Sequence, residues 1–185
     1  MPPRRCTLYS GGAAGSEATF GEIAARWGVR EVAFTFEGHL QERTEGRHEL
    51  SPRELAMGDV SLSYVSKRLN RSYNDRGGLI RCVLQTLWHM VSRSQQIFVI
   101  GTILDDGTVR GGTGWSVELA RMWSRELWVF DQVRGRWHQW RGGGWVPGSP
   151  RITSPHLCGT GTRQINDAGR GAIEALFEAS FGGLE

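Results

Sequence analysis

Lysine, cysteine and long apolar runs are scarce in this sequence, and each shortage argues against a class of protein. Lys67 is the only lysine, and 22 basic against 19 acidic side chains leave a net charge of only +3. So small an excess, without a basic block, argues against duplex DNA, and nucleic acid is not an expected partner. Arginine suits planar partners such as phosphate and carboxylate, although it also simply fills solvated surfaces.

Metal sites, disulfides and membrane spans are not expected either. Cys6, Cys82 and Cys158 are far apart and in no paired spacing, which argues against a disulfide framework or a zinc cluster. The five histidines show no metal-binding spacing, and no cofactor is expected. No stretch has the roughly 18 apolar residues of a membrane span, and the N-terminus lacks the apolar core of a signal peptide. We therefore expect a cytoplasmic protein without membrane contact.

Strand-like and helix-like patterns alternate along the chain, which is typical of an α/β domain. The predicted strands are residues 7–10, 31–36, 96–104, 126–132 and 156–158. The predicted helices are residues 16–28, 51–69, 79–92, 115–124 and 166–180. We expect 37–50 to be a loop and the tryptophan-rich segment 134–146 to form a hairpin or ribbon at the sheet edge. Residues 1–185 are thus predicted to be one Rossmann-like, doubly wound domain with a mainly parallel sheet.

Three glycine-rich loops follow predicted strands and precede predicted helices, at residues 11–15, 111–114 and 159–161. In a parallel sheet all three lie at the carboxyl edge of the strands, where ligands bind. Glycine permits close backbone approach, and helix N-termini attract anions, so the pattern predicts phosphate or nucleotide binding. The alternative is that these glycines merely link strand to helix. No Walker A loop and no clean GxGxxG motif is present, which argues against a P-loop NTPase and a standard NAD dehydrogenase.

The same loops resemble those of the SLOG superfamily of Rossmann-like proteins. Residues 111–118, GGTGWSVE, resemble the GGxGTxxE motif of LOG-type nucleoside-monophosphate phosphoribohydrolases, with Trp115 in place of threonine. Residues 10–17 resemble the SGGAxGAD loop, with Glu17 in place of aspartate, and 158–163 resemble the GIGSR loop. The GIGSR-like loop comes last here, whereas it comes first in many members. The layout is also similar to a group of bacterial and phage SLOG-like proteins with GGTGW, VFDQ and GIGTR signatures.

The resemblance implies a sensor or sequestering protein that holds a nucleotide or nucleotide-derived small molecule. Such a ligand is NAD-like, ADP-ribose-like or a cyclic nucleotide. A homodimer is also implied, because SLOG proteins often dimerise. The predicted ligand-binding residues are Ser10, Gly11, Gly12, Gly15, Ser16, Glu17, Arg71, Gly111, Gly112, Thr113, Gly114, Trp115, Gly159, Thr160, Gly161, Thr162 and Arg163.

The resemblance leaves an enzymatic alternative open. In LOG enzymes the glutamate of the motif acts with an arginine on the N-glycosidic bond of a nucleoside 5′-monophosphate, which makes Glu118 the candidate catalytic residue. Arg71, Arg76 and Arg81 are the candidate partners for it. Trp115 either stacks on a base or occludes the phosphate subsite.

Two further alternatives come from other branches of the superfamily. DprA-like members bind single-stranded DNA, for which residues 134–141, with Trp137 and Trp140, are the only candidate surface here. Molybdate or tungstate carriage, as in the molybdenum-carrier branch, is the other.

Overall fold

An eight-stranded, mostly parallel β-sheet with helices on both faces organises residues 1–73 and 78–183, which the computed structural model describes. The strands are β1 (Thr7–Ser10), β2 (Arg30–Thr35), β3 (Arg47–Glu49), β4 (Gln96–Gly101), β5 (Glu126–Asp131), β6 (Arg136–Arg141), β7 (Gly144–Pro147) and β8 (His156–Gly161). The helices are α1 (Ser16–Arg26), α2 (Pro52–Ala56), α3 (Asp59–Leu69), α4 (Leu79–Ser92), α5 (Thr113–Met122) and α6 (Asp167–Phe181).

The strand order is β3-β2-β1-β8-β4-β5-β6-β7. The first six strands in this order, from β3 through β8 to β5, pair in parallel with their neighbours. Strands β6 and β7 are added antiparallel and form the far edge of the same sheet. The last strand of the chain, β8, therefore lies in the centre, between β1 and β4. As a result, the loops that follow β1, β4 and β8 meet at one edge of the sheet.

The two faces of the sheet carry separate hydrophobic cores. Along β4, Ile97 and Val99 belong to one core and Phe98 and Ile100 to the other, as the two-residue period of a strand requires. Helices α2 to α5 cover the first face, and α1 and α6 cover the second. Continuous apolar runs in a strand buried on both faces are typical of parallel sheets, so the predicted α/β class is confirmed.

Two predicted segments differ in the structure. Residues 37–50 were expected to be a loop, but Arg47–Glu49 form β3 by pairing in parallel with β2. Its three exposed polar residues carry no strand pattern, and only the neighbouring strand's hydrogen bonds define it. The predicted helix 51–69 is divided into α2 and α3 near Gly58, where an added Cβ would lie 2.9 Å from Trp88 Cβ. None of the helices in the described ranges is long and apolar enough to cross a membrane.

Candidate ligand-binding cleft

A cleft with two compartments lies where the loops after β1, β4 and β8 meet. Each compartment has a volume of about 650 Å³, which is in the range of small-molecule sites. The residues that line both, and so mark the junction between them, are His39, Val83, Leu84, Gly111, Gly112 and Arg163. The position agrees with the rule that ligands of parallel sheets bind at the carboxyl ends of the strands.

One compartment is predominantly apolar. Its wall is built from the start of α4 and the segment after β2, with Phe36, Leu40, Leu79, Ile80 and Val83 among its lining side chains. Leu40 is 80% exposed, and Leu79 and Ile80 are each more than half exposed. Large apolar side chains that face solvent around a concavity mark a binding surface rather than a core.

The second compartment has the more polar lining of the two. Hydroxyl, amide, carboxyl and guanidinium side chains face it, from Glu17, Thr102, Arg110, Gln132, Thr160, Thr162, Gln164 and Asn166. Several of these groups are fixed by internal hydrogen bonds. Asn166 Oδ1 accepts from Gly169 N at 2.8 Å and caps α6, and Gln132 Oε1 accepts from Asn166 N at 2.8 Å. Gln132 and Asn166 are therefore held in place before any ligand arrives.

Residues 41–43 cover the first glycine loop, so most of this loop does not line the cleft. Gln41 Nε2 donates to the Gly11 carbonyl oxygen at 2.9 Å, and the Glu42 and Arg43 amides donate to the Gly12 carbonyl oxygen. Both glycines are buried. Of this loop and the start of α1, only Ala13 and Glu17 line a compartment.

The N-terminus of helix α1 is hydrogen-bonded to the third glycine loop. The amide and hydroxyl groups of Ser16 both donate to the Thr162 carbonyl oxygen, at 3.1 and 2.6 Å. An added Cβ on Gly15 would lie 2.3 Å from the Arg163 carbonyl oxygen. Gly15 and Ser16 thus position the segment that carries Arg163, although neither lines the cleft.

Glu17 is the only carboxylate that lines the cleft in the described part of the chain. Its Oε1 accepts from Thr160 Oγ1 at 2.8 Å, and its Oε2 accepts from Ala13 N at 3.2 Å. Burial raises the pKa of Glu17, even though these donors and the charge of Arg163 act in the opposite direction. A largely desolvated carboxyl at this position suits hydrogen bonds with ligand hydroxyls.

Three arginines surround the cleft. Arg110 and Arg163 are exposed, and neither guanidinium has a carboxylate partner within residues 1–73 and 78–183. Arg71 donates through Nη1 to the Gly111 carbonyl oxygen at 2.7 Å and so binds the second glycine loop. Guanidinium groups that form no ion pair with a described carboxylate are available to a phosphate or carboxylate from outside.

Glu118 lies away from both compartments, in an ion-pair cluster between α3 and α5. Its side chain is only 3% exposed, and Arg121 Nη1 donates to Oε1 at 2.5 Å while Arg68 Nε donates to Oε2 at 3.2 Å. The partners are thus Arg68 and Arg121. Of the predicted partners, Arg71 binds a backbone carbonyl and Arg81 pairs with Asp59, and Arg76 lies outside the described residues.

Trp115 is part of the core beneath the apolar compartment. It is 1% exposed, and its ring centroid lies 6.0 Å from that of Tyr73. The side chain lines the floor of the compartment, but its ring faces cannot stack on a base while it remains so deeply buried.

The tryptophans of β6 and β7 pack against other side chains of this protein. Trp137 packs edge to face on Phe130, with a centroid distance of 5.5 Å. Trp140 and Trp145 pack on each other, and the guanidinium of Arg121 lies 3.6 Å from the Trp140 ring centroid. A stacking surface for single-stranded DNA requires accessible ring faces, and these contacts give that alternative no support.

Ten of the predicted ligand-binding residues line the cleft and seven do not. Those that line it are Glu17, Arg71, Gly111, Gly112, Thr113, Trp115, Thr160, Gly161, Thr162 and Arg163. Those that do not are Ser10, Gly11, Gly12, Gly15, Ser16, Gly114 and Gly159. An added Cβ on Gly159 would lie 2.5 Å from Phe20 Cγ, so this glycine serves the packing of α1 on β8.

Sequence reasoning missed His39, Arg110 and the apolar wall. Arg110 directly precedes Gly111, so its place beside a glycine loop was a usable signal. The start of α4 carries Leu79 and Ile80 in its first turn, where an exposed apolar pair is unusual. His39 had no signal of this kind, because only the tertiary fold brings the segment after β2 over the ends of β1 and β8.

Three histidines are held neutral by the fold, and we expect stability to fall in acid. Burial is the main cause that lowers the pKa values of His39, His89 and His138, that of His39 to about 4. The unfolded chain binds these protons near pH 6.5. Their contribution is therefore complete above pH 6.5 and is lost as the pH falls towards 4, by at most about 3 kcal/mol for His39. The raised pKa of Glu17 opposes this trend because its stabilising effect is greatest in acid.

Urea unfolding at pH 7, 5.5 and 4.5 measures this effect as a decline of the midpoint. Replacing the exposed His48 by glutamine is the control and should leave the decline as it is. A midpoint that stays constant over this range would show that the buried histidines become protonated without cost.

No group of His, Cys, Asp and Glu side chains within residues 1–73 and 78–183 is arranged to hold a metal ion. The chain matches no protein-family model, no curated protein sequence and no solved structure at a significant level. The geometry of the cleft is therefore what bears on function.

Proposed function

We propose that the cleft binds a nucleotide or nucleotide-derived small molecule, as part of a sensor or sequestering protein. The observation that carries the proposal is that one cleft combines an exposed apolar wall with two guanidinium groups, Arg110 and Arg163, that form no ion pair with a carboxylate in the described part of the chain. Phosphate groups suit arginines and glycine-rich backbone, whereas a base suits an apolar wall. A nucleotide combines both kinds of group in one molecule.

The position of Glu118 favours binding over turnover. The alternative, hydrolysis of an N-glycosidic bond, needs this carboxylate beside the sugar of the ligand. Instead Glu118 lines neither compartment, and both of its oxygens are bound by guanidinium groups. We therefore infer that an intact ligand is held. Membership of the SLOG superfamily, a homodimeric state and a cytoplasmic location belong to the same proposal and rest on the loop motifs and the composition.

Mass spectrometry of the purified protein with a panel of nucleotides tests the proposal. The panel contains AMP and other nucleoside monophosphates, NAD, ADP-ribose and cyclic nucleotides. We expect at least one member to be retained intact, with no free base in the same sample. Free base together with ribose phosphate would establish the hydrolase, and retention of none would overturn the proposal.

The variant Gly112→Ala probes the cleft by steric means alone. Gly112 has helical backbone angles, φ −60° and ψ −31°, and a methyl group there meets no atom within 4 Å. The fold should therefore tolerate the substitution. A ligand phosphate that approaches the Gly112 backbone would clash with the methyl group, and we expect at least a tenfold loss of affinity, or about 1.4 kcal/mol.

Gly171→Ala is the matched control for this experiment. Gly171 is exposed on α6, away from the cleft, and its added methyl also meets nothing within 4 Å. It should leave affinity unchanged and raise stability by about 0.5–1 kcal/mol, because alanine is the better helix former. Calorimetric titration with a retained panel member compares the two variants, and equal affinities would place the ligand elsewhere.

A further inference from the structure

His39 lies at the junction of the two compartments and lines both of them, as Arg163 does. Its imidazole is stacked on the ring of Phe36, with a centroid distance of 4.6 Å and an interplanar angle of 12°. The orientation of the ring is therefore set by packing. Neither the glycine loops nor the motifs include this residue.

A buried hydroxyl group is the hydrogen-bond partner of one ring nitrogen of this imidazole. Thr35 is fully buried, and its Oγ1 lies 3.2 Å from His39 Nδ1. His39 Nδ1 is the hydrogen-bond partner of this hydroxyl among the described residues, and a buried hydroxyl hydrogen needs an acceptor, so we assign Thr35 as the donor and Nδ1 as the acceptor. Burial, with the charges of Arg163 and Arg47, lowers the pKa of His39 to about 4. The ring is thus neutral at pH 7, and with this assignment it carries its hydrogen on Nε2.

The Nε2–H group has no hydrogen-bond partner within residues 1–73 and 78–183, although the atom is buried. Buried donors in native proteins are almost always paired, and an unpaired one is costly. A donor of this kind beside a ligand cleft is explained when the ligand supplies the acceptor. The neighbouring Arg163 guanidinium indicates that the acceptor is an anion.

An anion at this junction has space on two sides. On one side lies the apolar wall with Leu79 and Ile80, and on the other lie polar groups that include Glu17 and Thr102. A terminal phosphate would leave one of the compartments unfilled. A phosphate in the middle of a molecule fills both.

We propose that His39 Nε2–H and Arg163 together bind a phosphate that links two parts of the ligand. A nucleoside then occupies the apolar compartment, and a hydroxyl-rich group such as a second ribose occupies the polar compartment, within reach of Glu17. This inference rests on the proposed function and narrows its ligand class to nucleotides with internal phosphates. His39 is a binding and specificity residue in this arrangement.

Calorimetric titration of the full chain with matched pairs of nucleotides tests the ligand class. The pairs are AMP with ADP-ribose and GMP with cyclic di-GMP, which share a base and differ in whether the phosphate is terminal. We expect one phosphate-bridged member to bind at least about tenfold more tightly than its monophosphate. Equal affinities within each pair would overturn the two-sided ligand but leave the proposed function standing. Binding of no nucleotide at all would overturn both.

The double variant Thr35→Val, His39→Phe tests the role of His39. It removes both polar partners and keeps the shapes and the ring on Phe36, a replacement that is often close to neutral for stability. We expect an unchanged unfolding midpoint and about a tenfold weaker binding of the phosphate-bridged nucleotide. Unchanged affinity would overturn the role of His39.

Nitrogen-15 NMR of the wild-type chain is a second test that does not depend on the folding of a variant. With the phosphate-bridged nucleotide bound, the His39 Nε2–H proton should become protected from exchange and shift as in a hydrogen bond. The same resonance should not shift in this way when inorganic sulfate replaces the nucleotide at equal ionic strength. A resonance unaffected by the bound nucleotide would contradict the contact.

Discussion

Replacing Glu118 by glutamine is expected to lower the free energy of unfolding by about 3 kcal/mol, because it leaves a buried guanidinium without its carboxylate. The Glu118 side chain is 3% exposed and that of Arg121 is 11% exposed. Arg121 also donates to the Gly107 carbonyl oxygen at 2.7 Å and lies over the Trp140 ring. The Arg121 guanidinium is therefore packed between α5 and the tryptophans of β6 and β7. Urea unfolding followed by circular dichroism measures the loss.

Arg68→Gln is the matched control within the same cluster. Arg68 also pairs with Glu118, but its side chain is half exposed. Exposed ion pairs contribute little, so we expect a loss of no more than about 1 kcal/mol. The double variant Glu118→Leu, Arg121→Met should recover part of the stability that Glu118→Gln loses, since it removes both buried charges. A loss of similar size for Arg68→Gln and Glu118→Gln would show that burial is not the cause.

The variant Glu118→Gln also distinguishes a structural role of this glutamate from a catalytic one. Because Glu118 lines neither compartment, the folded Glu118→Gln protein should bind the retained nucleotide with an affinity within about threefold of the wild type. The contrary result would be a wild type that releases free base, together with a Glu118→Gln variant that is equally stable and releases none. That outcome would restore the role implied by the LOG-like motif.

Apart from β3 and the division of residues 51–69 into two helices, the order of elements could be predicted from sequence because local signals determine it. Such signals include the capping box of Ser51 and Glu54 at the start of α2 and the Asn166 side chain that caps α6, each formed between residues three positions apart. The order of the strands could not be predicted, because β8 enters between β1 and β4 through contacts between residues about 60 to 150 positions apart. Nothing local in residues 156–161 shows that they form the central strand.

The candidate site was predictable as a region but not residue by residue. Glycine loops after parallel strands indicate the edge at which ligands bind, and the cleft lies there. A sequence does not show whether a particular glycine faces a ligand or another segment of the chain. Gly12 lies against the Arg43 backbone and Gly112 faces open space, although both occur in similar glycine pairs.

The variant Gly15→Ala is expected to be the most damaging of the glycine substitutions, with a loss of about 4 kcal/mol. Gly15 has φ 88° and ψ −122°, a conformation that side chains other than glycine rarely adopt. An added Cβ would lie 2.3 Å from the Arg163 carbonyl oxygen and 2.6 Å from Arg163 Cα. Both obstacles are backbone, which cannot rotate away as a side chain does. Thermal and urea unfolding measure the loss.

The variant Gly28→Ala separates the cost of the positive φ from the cost of the steric clash. Gly28 also has a positive φ, 71°, but a Cβ there meets nothing within 4 Å. It should therefore cost only the left-handed conformation, about 1–2 kcal/mol. If Gly15→Ala costs no more than Gly28→Ala, the close approach between the first and third glycine loops is not as tight as the geometry indicates.

The variant Gly15→Ala is also expected to weaken ligand binding, because the close contact of Gly15 with the Arg163 backbone positions Arg163 in the cleft. The methyl group must push the Arg163 backbone away from α1, and the hydrogen bonds from Ser16 to the Thr162 carbonyl oxygen must lengthen with it. Arg163 would then be displaced from the junction it shares with His39. We expect the folded fraction to lose at least about tenfold in affinity for the retained nucleotide, whereas Gly28→Ala keeps it. Titration at low temperature, where the variant is folded, makes the comparison. Full affinity in folded Gly15→Ala would show that the position of the third loop is set by β8 and α6 alone.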